Sequence, residues 1–320
     1  MNNVNRVESL YRAMLRIRRV EEAIAERYAA QEMRCPVHLS IGQEAVAVGV
    51  CAALTRQDGV FSGHRAHAHY LAKGANLKAM LAEIYGKAEG CCKGVGGSMH
   101  MIDLAAGFLG AVPIVGATVP LAVGAAWAAR LRGEDKVIVA FFGDGTFEEG
   151  AIFESINFAV LHRLPVLFVC ENNLYACYTR LSTRQADRSI HGVAAACGCK
   201  TMLVDGNDAL AVFDAASRAV ADLRAGSHPV FLECSTYRLR EHCGPNMDDD
   251  LGYRPAAEVA EWKAACPVSR LATMLTVMPE GQDMMLNAER EIAEEINEAF
   301  IYALAGGNPK QADLQGYLYA

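Results

Sequence analysis

The chain has 320 residues, of which 52% are hydrophobic and 21% are charged, and its formal net charge is −7. This composition supports a large buried core and excludes a wholly disordered chain. The negative charge excludes a general nucleic-acid binder, because neutralising phosphates requires an excess of basic residues.

The first hundred residues are predicted to be mainly helical. Apolar residues recur at helical spacing over residues 7–24, which predicts a long amphipathic helix. Residues 41–54 are rich in small apolar side chains and predict a buried helix, and residues 75–86 predict another. A polar, histidine-rich segment covers residues 61–69, and a glycine-rich loop covers residues 90–100.

The segment 105–129 is the one stretch that raises the question of a membrane span. It contains no charged residue and is long enough to span a bilayer, but its prolines and glycines favour a segment buried in the fold or under a partner chain. The first residues lack the apolar core of a signal peptide. Eleven cysteines without a C-x-x-C pair or regular spacing indicate free thiols in a reducing compartment. We therefore expect a cytoplasmic protein with no membrane span.

Residues 136–234 alternate between strand and helix patterns. Continuous apolar runs at 136–142 and 166–170 predict buried strands, and residues 200–204 and 229–234 predict two further short strands, with helices at 152–160 and 209–225. This alternation predicts the α/β class, with a doubly wound, mostly parallel sheet and helices on both faces. Residues 284–304 predict an outer amphipathic helix. We divide the chain into an N-terminal helical arm (1–35), an α/β domain (36–255) and a C-terminal helical extension (256–320).

The sequence G-D-G-T-F-E, residues 143–148, directly follows the first buried strand and is expected to open a helix. Ligands bind at the carboxyl ends of strands in open α/β sheets. Gly143 and Gly145 allow close approach of the backbone, and the N–H groups at the helix start would face an anion such as a phosphate. Asp144 repels phosphate, so it would act through a divalent cation, or else it only caps the helix.

The next strand ends in E-N-N-L-Y, residues 171–175. Asn173 follows Asp144 by one strand–helix–strand unit, so the two loops should lie side by side at one edge of the sheet. Carboxylate, amide and carbonyl oxygens are the ligands that Mg²⁺ prefers. Adjacent asparagines also occur in ordinary turns, but the two motifs together favour a metal site.

The G-D-G motif followed about thirty residues later by N-N resembles the thiamin-diphosphate fingerprint. From about residue 36 to residue 255, the chain is similar to the alpha subunit of the decarboxylating first component of 2-oxo-acid dehydrogenase complexes, of the pyruvate or acetoin dehydrogenase type. The other blocks that support this resemblance are, in chain order, I-G-Q-E-A (41–45), G-H-R-A-H (63–67), K-G-V-G-G-S-M-H (93–100), P-I-V-G-A-T-V-P (113–120) and T-Y-R-L-R-E-H (236–242).

The resemblance implies a thiamin-diphosphate-binding fold and roles for individual residues. Asp144, Asn173 and the carbonyl of Tyr175 would hold Mg²⁺. His242 and His67 would be catalytic and line the channel to the reacting carbon. The residues that would bind the cofactor all come from the motif blocks: His64, Arg65, Pro113, Val115, Asp144, Gly145, Thr146, Asn173 and His242.

The resemblance also implies an activity and its partners. The enzyme would be an oxidoreductase that acts on the oxo group of a 2-oxo acid and passes the acyl group to a disulfide acceptor, the lipoyl group of an acyltransferase. The substrate would be a small 2-oxo acid or acetoin. The carboxylate that activates the cofactor would come from a beta subunit in an α2β2 heterotetramer, since Glu44 is the only motif-borne candidate in this chain and we discount it.

The chain departs from the family pattern at several positions. His64 stands where many relatives carry tyrosine. Cys243 takes the place of a serine, which argues against a phosphorylation switch there. The acidic run Asp248 to Asp250 is expected to be a solvated loop. His69 and His100 are expected to be structural, and the remaining histidines, at positions 38, 162, 191 and 228, are expected to be surface or core residues.

Three other functions are weighed against this one. A stand-alone thiamin-diphosphate lyase or acyl-transfer enzyme of a biosynthetic pathway would have much the same sequence. A non-catalytic regulatory subunit that kept the fold would not need Arg65, Asp144 and Asn173, all of which are present. A nicotinamide dehydrogenase needs G-x-G-x-x-G, and G-D-G-T-F-E lacks the third glycine.

Overall fold

The computed structural model describes residues 3–317. The strands of this part of the chain are β1 (Gly59–Ser62), β2 (Phe108–Ala111), β3 (Ile138–Gly143), β4 (Val166–Asn172), β5 (Tyr175–Ala176), β6 (Thr179–Arg180), β7 (Lys200–Asp205) and β8 (Val230–Ser235). Six of them form one parallel sheet in the order β2-β1-β3-β4-β8-β7, and β5 pairs with β6 in a short antiparallel hairpin.

Helices cover both faces of the sheet. They are α1 (Asn3–Tyr28), α2 (Glu44–Ala52), α3 (His67–Ala72), α4 (Leu77–Ile84), α5 (Thr118–Leu131), α6 (Gly150–Leu161), α7 (Leu181–Arg184), α8 (Ile190–Ala196), α9 (Ala209–Arg224), α10 (Ala256–Ala264), α11 (Pro267–Thr276) and α12 (Gly281–Ala305). This arrangement confirms the predicted α/β class with a parallel, doubly wound sheet.

The central strands contribute side chains to two separate hydrophobic cores, one on each face of the sheet. Val139 and Phe141 of β3 pack in the larger core with α1, α2 and α9. Ala140 and Phe142 of the same strand pack in the smaller core with α5, α6 and α8. Side chains alternate between faces along a strand, so a strand that is covered on both sides needs apolar residues at every position. The continuous apolar runs in the sequence have this cause.

The first and last helices pack against each other. α1 carries arginines along the edge that meets α12, and Arg16 donates to Glu295 at 2.7 Å. The apolar stripe of α1, from Val7 to Ile24, is buried in the larger core. The division of the chain into an N-terminal arm, an α/β domain and a C-terminal extension, with boundaries at residues 35 and 255, stays a prediction. Residues 1–2 of the arm and residues 318–320 of the extension lie outside the described part of the chain.

The predicted strands at 136–142, 166–170, 200–204 and 229–234 are confirmed, whereas β1 and β2 escaped prediction. Their sequences, G-V-F-S and F-L-G-A, are four residues long and contain glycine, which weakens the strand pattern. The uncharged segment 105–129 contains β2, a loop and most of α5. Among residues 3–317, no helix combines the length and the apolar character that crossing a membrane requires.

The order of the strands creates a cleft between β1 and β3. After β1 the chain adds β2 on one side, and it then places β3 on the other side of β1. The loops that leave β1 and β3 therefore diverge, and a ligand site is expected between them. The loop after β1 carries the G-H-R-A-H block, and the loop after β3 carries the G-D-G motif.

Candidate active site

A cavity of about 430 Å³ opens at the carboxyl ends of β1, β3 and β4. It occupies the cleft where the strand order reverses. Its wall includes most of the residues that the sequence analysis singled out: His64, Arg65, Pro113, Val115, Asp144, Gly145, Thr146, Asn173, Tyr175 and His242. Motifs that are far apart in the sequence therefore meet on one surface.

We name Gln43, Asp144 and Asn173 the oxygen-donor end of this cavity. Asp144 directly follows β3 and is only 1% exposed. Burial raises the pKa of Asp144, and the nearby Arg184 opposes that shift. Asn173 directly follows β4, where its Nδ2 donates to Gln43 Oε1 at 3.0 Å and its Oδ1 accepts the Tyr175 backbone N–H at 3.2 Å. These two hydrogen bonds fix the orientation of the Asn173 amide.

The oxygen-donor end fits a divalent cation. Asp144 Oδ1 is buried and has no hydrogen-bond partner in the described part of the chain, and an unpartnered buried carboxylate oxygen is costly unless it meets a cation. Arg184 already brings positive charge to this point, since its guanidinium pairs with both Asp144 and Glu148. Asn173 Oδ1 keeps a second lone pair. This donor set suits the Mg²⁺ that the resemblance implies.

The G-D-G motif forms a tight turn before the helix begins. Residues Asp144–Glu148 form a 3₁₀ turn, and α6 starts only at Gly150. The expectation that the motif opens the α-helix directly is therefore wrong by one turn. The capping alternative for Asp144 is wrong as well, because no side chain caps the turn or α6. A Cβ on Gly145 would lie 2.9 Å from Ala176 Cβ, so only glycine lets the turn pack against β5.

We name His38, His64 and His242 the histidine end of the cavity. Their ring centroids lie 4.7 Å (38 to 64), 5.2 Å (38 to 242) and 5.3 Å (64 to 242) apart. Burial, with a smaller contribution from the charge of Arg65, lowers the pKa of His38 to about 2, of His64 to about 3 and of His242 to about 4. All three rings are therefore neutral at pH 7. The expectation that His38 is an ordinary surface or core histidine is wrong, since it lies on the cavity wall.

Arg65 joins two of the loops that carry the histidine end. Its Nη1 donates to the carbonyl of Leu39 at 2.6 Å, and its Nη2 donates to the carbonyl of His242 at 3.3 Å. Burial lowers the pKa of Arg65 to about 10, and Arg238 contributes to that shift, so the side chain remains charged at pH 7. A buried cation whose hydrogen bonds go to neutral carbonyls fits an anion such as a diphosphate.

His67 lies outside the cavity wall, contrary to the expectation that it lines the channel. It is fully buried, its Nε2 lies 2.7 Å from Ser98 Oγ, and its Nδ1 lies 3.3 Å from Glu21 Oε1. These contacts connect the glycine-rich loop to α1. His69 does line the cavity, where its ring stacks on Phe141 at a centroid distance of 4.0 Å.

Glu44, the motif-borne candidate for activating the cofactor that the sequence analysis discounted, forms contacts outside the cavity. Its side chain is buried, accepts a hydrogen bond from Arg18 Nε at 2.6 Å and accepts the Gly42 backbone N–H at 3.1 Å. It does not line the cavity. These contacts agree with the decision to discount it.

The acidic run after Cys243 is only partly solvated. Asp248 is 1% exposed and pairs with Arg254 and, at 3.4 Å, with Arg238. The expectation of a wholly solvated loop is wrong for this residue, because its carboxylate neutralises two buried guanidinium groups. Asp250 is exposed.

The sequence analysis did not identify Gln43 of the oxygen-donor end or Arg184, which pairs with Asp144 there. Gln43 was only part of the I-G-Q-E-A block, although a polar residue within a run of buried small residues is itself a signal. Arg184 gave no signal, since one arginine in the polar segment after β6 has no special spacing.

Comparison with known proteins identifies the family. Residues 12–311 match the family model described as the dehydrogenase E1 component. The chain is 39% identical over 310 residues to the alpha subunit of acetoin:2,6-dichlorophenolindophenol oxidoreductase from Bacillus subtilis, covering 97% of this chain and 92% of that protein. It is 38% identical over 306 residues to the alpha subunit of the pyruvate dehydrogenase E1 component from Rhizobium meliloti, covering 95% and 87%. The chain therefore belongs to the dehydrogenase E1 component family.

Proposed function

We propose that this chain is the alpha subunit of a thiamin-diphosphate- and Mg²⁺-dependent 2-oxo-acid dehydrogenase of the decarboxylating, acyl-transferring type. The family and the relatives named above support this activity. The observation that carries the proposal is the meeting of Asp144 and Asn173, from the ends of two neighbouring strands, in a cavity that also holds a buried arginine.

The family uses thiamin diphosphate with Mg²⁺. Asp144, Asn173 and the Tyr175 carbonyl would hold the metal ion. The backbone N–H groups of Gly145 and Thr146 would meet the diphosphate, and a Cβ on Gly145 would clash with Ala176 of β5. When bound, the cofactor supplies a nucleophilic carbon and an electron sink for decarboxylation.

The remaining residues of the wall would position the cofactor and move protons. Arg65 would offer its positive charge to the diphosphate, with His64 beside it. Val115 and Pro113, on the loop before α5, would meet the aminopyrimidine end of the cofactor. His242 is neutral at pH 7, so one ring nitrogen can accept a proton while the other can donate one. We assign the catalytic proton transfer to His242 and a structural role to His67.

A beta subunit would complete the site. Large apolar side chains are exposed beside the cavity and along α5, with Ile114 71%, Leu131 74% and Trp127 40% exposed. Such a patch is typical of a protein interface. With Glu44 engaged by Arg18, the activating carboxylate would come from the partner, in an α2β2 heterotetramer. The uncharged segment 105–129 would then be covered partly by that partner.

The acyl acceptor would be the lipoyl group of an acyltransferase, and the substrate would be pyruvate or acetoin. The two relatives compared above act on one or the other according to their names. All eleven cysteines are free thiols, which supports the cytoplasm as the location of the complex.

The test uses the chain co-expressed with the beta subunit that co-purifies with it from the native cell. Calorimetry should detect thiamin diphosphate binding that requires Mg²⁺. Ferricyanide reduction with pyruvate, branched 2-oxo acids and acetoin then identifies the substrate. Asp144→Asn should lower affinity for the cofactor by at least roughly 100-fold, whereas the exposed control Asp214→Asn should bind normally.

Each alternative gives a different result in this test. A regulatory subunit would give a complex that neither binds the cofactor nor turns over. A lyase would form product without an oxidant or a lipoyl acceptor. Unchanged binding of the cofactor by Asp144→Asn would contradict the proposed metal site.

A further inference from the structure

A single carboxylate on α10 reaches the segment that follows the N-N motif. Glu258, in the first turn of α10, accepts a hydrogen bond from the Tyr175 hydroxyl at 2.7 Å and another from the Tyr237 hydroxyl at 3.1 Å, both through Oε1. Its Oε2 pairs with Arg180 at 2.5 Å. Tyr175 belongs to β5, Arg180 to β6 and Tyr237 to the segment after β8, so this carboxylate joins three separate parts of the chain.

The side chain of Tyr175 is packed as well as hydrogen-bonded. Tyr175 is 6% exposed, and its ring meets the rings of Tyr237 and Tyr253 edge-on at centroid distances of 6.2 and 5.6 Å. Trp262, one turn further along α10, stacks on Tyr237 at 5.4 Å. Burial and the nearby Glu258 raise the pKa of Tyr175 to about 12. The hydroxyl therefore keeps its proton at pH 7 and donates it to the carboxylate in a charge-assisted hydrogen bond.

The backbone of Tyr175 lies beside the oxygen-donor end of the cavity. Its N–H donates to Asn173 Oδ1 at 3.2 Å, and Tyr175, Ala176 and Cys177 are all part of the cavity wall. Ala176 also packs against the G-D-G turn, where a Cβ on Gly145 would come within 2.9 Å of it. The side chain of Tyr175 is thus held by α10, while its backbone contacts a donor of the cation site.

We propose that Glu258 is a positioning residue for the cation site. By holding the Tyr175 side chain, it sets the place of the Tyr175 carbonyl and of the Asn173 amide that bonds to the same residue. This inference rests on the proposed function only in giving that carbonyl a metal ion to hold. Groups that orient metal ligands contribute strongly to metal affinity. The predicted C-terminal extension, which begins at residue 256, would then take part in building the site.

The first experiment measures the hold on this segment without any cofactor. Hydrogen–deuterium exchange is followed in residues 173–180 of the full-length chain, in complex with the beta subunit that co-purifies with it. Tyr175→Phe deletes only the hydroxyl, and Glu258→Ala deletes the acceptor. Each should raise the exchange rate of the segment by at least about threefold, because local opening becomes easier. Glu261→Ala, at an exposed position of the same helix, should leave the rate unchanged.

The second experiment measures the Mg²⁺ concentration for half-maximal thiamin diphosphate binding by calorimetry. Tyr175→Phe and Glu258→Ala should each raise it by about 10-fold. The double variant should raise it no further than the single variants, since both remove the same hydrogen bond. Glu258→Gln keeps an oxygen that can accept from Tyr175, so it should need less Mg²⁺ than Glu258→Ala. The control Glu261→Ala should behave as the parent.

Each result supports or overturns the proposal. Unchanged exchange in both single variants overturns the hold of Glu258 on the segment. Faster exchange with an unchanged Mg²⁺ requirement, or additive effects in the double variant, overturns its link to the cation site. A parent complex that binds no thiamin diphosphate overturns the proposed function itself, which distinguishes that failure from the failure of Glu258 alone. Circular dichroism checks folding, and if Glu258→Ala does not fold, Tyr175→Phe decides both experiments.

Discussion

Asp144 and Asn173 stand directly at the ends of two hydrogen-bonded strands, whereas His38, His64 and His242 are carried by three loops that converge from distant parts of the chain. At the oxygen-donor end, hydrogen bonds between side chains set the orientation of the donors. At the histidine end, the three rings pack against one another, and Asp248, in the segment that follows His242, forms ion pairs with Arg238 and Arg254. The sheet thus determines one end of the cavity, and loop packing determines the other.

The largest effect is expected on stability, from removing the buried carboxylate of Asp248 near the histidine end. Asp248 lies in the loop that follows His242 and faces Arg238 and Arg254, which are 3% and 4% exposed. Asp248→Ala would leave both guanidinium groups buried without this partner, so we expect a loss of about 3–5 kcal/mol in the free energy of unfolding. Urea denaturation measures it.

The matched control for this prediction is Asp250→Ala, an exposed aspartate two residues further on. It should change the free energy of unfolding by less than about 0.5 kcal/mol. Equal stabilities for the two variants would show that the ion pairs do not hold the loop of the histidine end.

The next prediction concerns the oxygen-donor end. Gln43→Ala removes the acceptor that orients Asn173, while it leaves Asp144 in place. We expect the Mg²⁺ concentration for half-maximal thiamin diphosphate binding to rise by about 10- to 100-fold, since residues that orient metal ligands have effects of this size. Calorimetry of the complex at a series of Mg²⁺ concentrations measures it.

The exposed Gln282 provides the control for that experiment. Gln282→Ala should leave the Mg²⁺ requirement unchanged. If Gln43→Ala needs no more Mg²⁺ than the parent protein, the end of β4 alone orients Asn173, and the hydrogen bond from Gln43 is not required.

The same contrast explains what the sequence could predict. Strands β3 and β4 have continuous apolar runs, so their ends, and with them Asp144 and Asn173, could be located from pattern and spacing. His38 could not, because its place beside His64 and His242 depends on how three irregular loops pack. The burial of Asp248 was also missed, since a run of acids is usually solvated and only tertiary contacts bring two arginines to it.

The smallest effect is expected from replacing Arg184, whose guanidinium lies at the oxygen-donor end. Arg184 pairs with Asp144 and Glu148, and its side chain is 11% exposed. Its guanidinium pairs with Asp144 Oδ2, so its positive charge opposes the approach of Mg²⁺ to the free Oδ1 of the same carboxylate. Arg184→Gln should therefore lower the Mg²⁺ requirement by about fivefold, equivalent to ~1 kcal/mol. The same calorimetric series measures it, with Arg132→Gln as an exposed control. A higher Mg²⁺ requirement in Arg184→Gln would mean that the arginine assists binding of the cofactor, and that its pairing with Asp144 does not compete with the metal ion.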